Sequence, residues 1–100
     1  MASMAEYQVT YWRDIPSMVA ARDSGGAVSK VPLPDRFQEA IDEAAMRAGA
    51  SDADAYLADW RREDWQQRDG DPGEVAAAVA KELDEGFPVE LLNQLVEASG

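Results

Sequence analysis

The side chains in this chain most able to do chemistry are carboxylates, and several stand in close pairs: Asp52 with Asp54, Glu63 with Asp64, and Asp69 with Asp71. Paired carboxylates can share a proton or hold a divalent cation. Calcium needs several oxygens converging from one loop, at alternate positions around a central glycine, and Asp69-Gly70-Asp71 supplies a fragment of that pattern. The residues that follow fit a different task. Asp71-Pro72-Gly73-Glu74 places an aspartate cap, a proline at the first helical position and a glutamate at the third, which together satisfy free amides and favour the positive end of a helix. Helix capping is the reading of these carboxylates, and no metal is expected.

The chain has no histidine and no cysteine. Thiolate nucleophiles, disulfides, zinc sites of Cys/His type and the commonest general base near neutral pH are thereby removed. Gly25-Gly26 lacks the downstream lysine and following helix of a phosphate-binding loop. No catalytic residue and no cofactor is assigned, and the chain is read as not an enzyme by itself.

Aromatic and cationic residues are the sharper signal. Tyr11-Trp12-Arg13-Asp14-Ile15-Pro16 puts two aromatics, a charged dipeptide and a rigid proline at the exit of a strand, and Trp60 and Trp65 stand near Arg61 and Arg62. Tryptophan and arginine are the residue types most enriched at binding hot spots. Trp12, Arg13, Asp14, Ile15, Pro16, Arg61, Arg62 and Trp65 are therefore the candidate partner-binding residues. The competing reading is an aromatic core with arginines stacked at its rim, and a local Arg13–Asp14 ion pair bracing the turn.

Charge bounds the partner. The net charge is −11, and residues 1–36 are neutral, with four basic and four acidic side chains; the remainder carries five basic and sixteen acidic ones. Such a field repels phosphate backbones and anionic lipids, so neither nucleic acid nor membrane is expected as partner. There is no apolar run of about twenty residues and no signal-peptide pattern, which makes the cytoplasm the default location. A protein partner is expected, with the chain itself a monomer or weak homodimer.

The elements that must position these residues change period partway along. Met1-Ala2-Ser3 reads as an added leader before a single domain over 4–98. Tyr7, Val9 and Tyr11 alternate with polar residues, predicting a strand with one buried face that Pro16 stops. Met18–Arg22 and Ala27–Val31 flank Asp23-Ser24-Gly25-Gly26, a hairpin signal. From Phe37 the period is helical as far as Gly49, with Phe37, Ile41, Ala44, Ala45 and Ala48 on one face. Ser51 and Asp54 resemble a capping box for a short helix bearing Tyr56, Leu57 and Trp60 on one face. The stretch 61–68 fits either a continued helix or an extended edge strand joining the hairpin, and Gly70-Asp71-Pro72 favours the strand. Two further helices follow, one with Val75, Val79 and Leu83 as its buried stripe, the other with Leu91, Leu92, Leu95 and Val96. The fold class is α+β: an antiparallel sheet of three, possibly four, strands packed against three to four helices.

Together with Arg36-Phe37-Gln38, Ile41-Asp42 and Ala44-Ala45-Met46-Arg47-Ala48-Gly49, the segment from Tyr11 to Pro16 resembles a small bacterial domain family named for virulence factors, over a span from Tyr7 to Phe87. The family has no assigned reaction to carry over. The leading reading is a non-catalytic protein-interaction module or accessory subunit of a bacterial complex. The resemblance also implies an alternative, a small-molecule-binding or enzyme-component protein linked to one-carbon or methyl-transfer metabolism.

Overall fold

A computed structural model describes residues 4–49 and 53–99. The proposed leader at residues 1–3, the Ser51 cap, the Asp52 half of one carboxylate pair and Gly100 lie outside the described residues. Among the described residues, five antiparallel strands and four helices make an α+β domain, the class that the change of period predicts, with one strand more than the three or four expected.

Strand β1 (Met4–Trp12) turns through Arg13 and Asp14 into β2 (Ile15–Arg22), which pairs in turn with β3 (Val28–Pro32). The second of these hairpins closes as its sequence predicts. The Asp23 carboxylate accepts from the amides of Gly25 and Ala27, and Gly26 takes φ 89°, a conformation that glycine adopts without steric cost.

The first hairpin differs from the expectation that Pro16 ends β1. The chain has already reversed at Arg13-Asp14, with Arg13 at φ 54°, and Pro16 lies inside β2. A central strand accepts proline there because the pairing register shifts between Thr10 and Tyr11, leaving Ser17 as the extra residue of a bulge.

The other edge of β1 is covered by one interrupted strand. β4 (Trp60–Arg62) pairs with residues 10–12 and β5 (Gln66–Asp69) with residues 4–7, so the stretch 61–68 is extended, as favoured. The register slips by one residue between the two pieces. Glu63 keeps contact by donating its amide to the Val9 carbonyl, while the Gln8 side-chain amide donates to the Glu63 carbonyl and closes the irregularity. Trp60 belongs to this strand and not to the preceding helix α2 (Ala53–Ala58), contrary to the sequence expectation. Asp59 ends the helix after six residues, too few turns to carry an apolar stripe that far.

Helix α1 (Asp35–Arg47) ends at Ala48 with Gly49 at φ 75°. Helix α3 (Pro72–Gly86) begins as its signature predicts, the Asp71 carboxylate accepting from the Glu74 amide at 2.8 Å. Helix α4 (Val89–Ala98) packs along α1. α3 lies across β1, β2 and β3, and α1 against β2. Val9, Val19 and Ala21 from the strands meet Phe37, Ile41, Ala44, Val75, Val79, Leu92 and Val96 from the helices in one core. At roughly 25 cal/mol per Å² of buried apolar area, this single layer is the main source of stability.

Candidate interaction surface

The residues singled out in the sequence divide into three groups. Trp12, Ile15 and Pro16 are core: Trp12 is 0% and Ile15 1% exposed, and Pro16 is fully buried. They present no surface to a partner. Trp12 stacks on Tyr56 at 5.9 Å and donates its indole N–H to the Tyr56 carbonyl, while Trp60 meets the same tyrosine edge-on. The aromatic core read as the alternative is thus present between β1, β4 and α2. Sequence adjacency of Trp12 to Arg13 reflects a tether for the short helix, since the buried indole must find an acceptor and Tyr56 supplies one.

Arg13, Asp14 and Arg61 brace the turn. The Arg13 guanidinium pairs with Asp59 at 3.0 Å and its backbone amide donates to the Asp59 carbonyl. Arg61 donates through Nε to the Arg13 carbonyl at 2.9 Å, approaches Asp14 at 3.9 Å and covers the Tyr11 ring. The expected pairing of Arg13 with Asp14 is replaced by two pairings to a distant segment, Arg13 with Asp59 just after α2 and Asp14 with Arg61 of β4. A residue held at positive φ is strained unless its surroundings over-determine it, and these bonds do so.

Arg62 and Trp65 form the third group. Neighbouring residues of a strand point to opposite sides of a sheet, so Arg61 and Arg62 part company: Arg61 meets Tyr11, and Arg62 faces the side that the helices leave open. Strand register lays this open side out in rows. Pro32, Met18, Thr10 and Arg62 are consecutive cross-strand partners, and Lys30, Ala20 and Gln8 are another row. Val28, Arg22 and Glu6 make a third. A shallow hollow of ≈ 250 Å³ runs over them, lined by all of these residues except Pro32 and Glu6, by Trp65, and by none from a helix.

Electrostatics set this surface apart. Among the described residues, six of the nine basic side chains lie in ion pairs, and Lys30, Arg62 and Lys81 lie outside them. Two of these three share the open face. Arg22 is engaged otherwise, its guanidinium 3.8 Å above the Trp65 ring and 3.8 Å from the Glu6 carboxylate. The indole is thereby pinned against β2 as a wall of the hollow. Sequence reasoning missed Met18, Ala20, Arg22 and Lys30; the signal that finds them is the even-numbered alternation along β2 and β3.

On the helix side, burial and the Glu63 charge raise the Tyr11 pKa above the ordinary tyrosine value, against the lowering effect of Arg61. At the edge, the Arg68 guanidinium makes two bonds to Glu82 across β5 and α3 and holds that carboxyl below its usual range. No group of three or more acidic residues that could hold a metal ion occurs among the described residues, and no helix there is long and apolar enough to cross a membrane.

No curated protein and no solved structure matches the chain. The family model described as "Virulence factor" matches residues 10–96, from β1 through α4, and the chain belongs to that family.

Proposed function

We propose that this domain is a non-catalytic protein-interaction module, an accessory subunit of a bacterial complex, working through the open face of its sheet. The observation that carries this reading is the pair of cations, Lys30 and Arg62, without acidic partners among the described residues, beside a partly apolar hollow lined by no helix residue, in a chain with net charge −11. Twenty carboxylates surround nine cations in this chain, so leaving two cations unpaired on one face favours an external acceptor over internal pairing. Met18, Ala20, Val28 and Trp65 add apolar area beside them, the mixture of aromatic, methionine and arginine found at interface centres.

The test is site-specific photocrosslinking in the source bacterium. A photoreactive residue at Val28, exposed on the rim of the open face, is compared with one at Val89, similarly exposed on α4. A discrete crosslinked protein from position 28 and none from 89 is the expected result. The same products from both positions, or none from position 28, would remove the basis for this reading.

A further inference from the structure

We infer that the occupant of the open face is an acidic segment of another protein, laid across the strands with carboxylates against Lys30 and Arg62 and an apolar side chain between them. This rests on the interaction reading above and specifies what the face receives. The two cations stand at opposite borders of the sheet, Lys30 on β3 and Arg62 on β4, with β2 and β1 between. Three strand spacings and one two-residue step along the strands place their Cα atoms about 16 Å apart. An extended pentapeptide with acidic ends spans roughly that distance once its side chains are counted.

The floor between the cations suits an apolar centre. Ala20 and Gln8 lie in the row of Lys30, and Met18 and Thr10 in the row of Arg62, so no charge stands between the two borders. Trp65 closes one side, its ring held by Arg22. Since Arg22 already faces Glu6, recognition of added carboxylates falls to Lys30 and Arg62.

Other occupants fit less well. A second copy docking by the same face would set one cationic patch against another, because a two-fold contact pairs a patch with itself. A nucleic-acid strand would meet two available cations here and the remaining negative field of the chain on either side. A carboxylate-bearing segment satisfies both cations with two charges and fills the centre with apolar area.

The probe is a capped pentapeptide with glutamates at both ends and a central phenylalanine, titrated to millimolar concentration into the isotope-labelled domain and followed by NMR. Saturable shifts are expected at Gln8, Thr10, Ala20, Lys30 and the Trp65 indole N–H. Lys30→Gln and Arg62→Gln each weaken binding by roughly 2- to 5-fold, as for exposed ion pairs, and added salt does the same. Equal binding of a glutamine-ended peptide, shifts centred elsewhere, no response at millimolar peptide, or tighter binding of a thymidine oligonucleotide on this face would each overturn the acidic occupant. A crosslink from position 28 without a peptide response leaves the interaction reading standing and removes this inference, whereas the absence of both removes both.

Discussion

The two sides of the sheet are built from the same strands, one residue out of step, and differ in how completely they are satisfied. Under the helices, Val9, Val19 and Ala21 are sealed by α1 and α3, and no buried side-chain polar atom among the described residues lacks a partner. On the open side, Met18, Ala20, Thr10 and Gln8 are half-buried in a hollow that no helix residue lines, and two cations at the borders have no acidic partner among the described residues. An antiparallel sheet commonly leaves one face to solvent, and that face is then polar. Here Met18, Ala20 and Trp65 stand among the polar side chains, beside two cations, in a strongly acidic chain. The covered side accounts for folding, and the open side is free to be specialised for recognition.

Tryptophan gives the widest separation between the sealed core and the open face. Trp12→Ala empties a fully buried site and strands the Tyr56 carbonyl, so a loss of about 4 kcal/mol is expected, a large share of the total stability of a domain this size. Trp65→Ala removes a half-exposed ring and one arginine contact, for less than about 1 kcal/mol. Urea denaturation of both variants decides the matter: comparable losses would show that the open face contributes to folding as the covered one does.

At the turn where the two sides meet, the expected effects are smaller. Arg13→Ala loses a part-exposed ion pair with Asp59 and should cost about 1 kcal/mol after allowance for solvent screening. Arg13→Gly should cost less than Arg13→Ala, since glycine accepts the left-handed backbone at φ 54°. An alanine variant more stable than the glycine variant would mean that the backbone there relaxes once the guanidinium is gone.

Local chemistry made much of the covered side legible. The Asp71 cap, the Asp23-Ser24-Gly25-Gly26 turn and the glycine that follows α1 each depend on a few neighbouring residues, and each was readable from them. The Arg13-Asp14 reversal was not, because the two-residue turns that announce themselves in sequence carry glycine or asparagine, and this one is held by Asp59 and Arg61 from a distant segment. Apolar spacing places Trp60 on α2, because it does not reveal where a short helix unwinds. The open face was obscured for a third reason. Grouping tryptophans with adjacent arginines joins side chains that a strand sends to opposite sides, and which side stays uncovered is decided by helices far along the chain.

Cation removal from the open face should barely move stability. Lys30→Gln and Arg62→Gln are expected to stay within about 0.5 kcal/mol of the parent, because neither side chain has an acidic partner to lose among the described residues. A thermal melt that drops by many degrees for either variant would reveal an internal role and take the two cations off the list of recognition residues.

Tyr11 supplies the finest test, because it sits on the covered side at the margin and reports how tightly that margin is closed. Its folded-state pKa is raised, first by burial and then by the charge of Glu63. A raised pKa means that the folded state holds the phenolic proton more firmly than the unfolded chain does. The resulting stabilisation is fully present below the ordinary tyrosine value and is lost as pH rises from that value through the raised one. Stability should therefore fall with alkali above about pH 10, where an unperturbed tyrosine ionises. In Tyr11→Phe that part of the slope should vanish, together with the latest step of the phenolate absorbance titration. Glu63→Gln should move the step partway back, since burial acts before the charge does. A late step that survives Tyr11→Phe would place the closed margin at another tyrosine, and the covered side would then end elsewhere than at the β1–β4 edge.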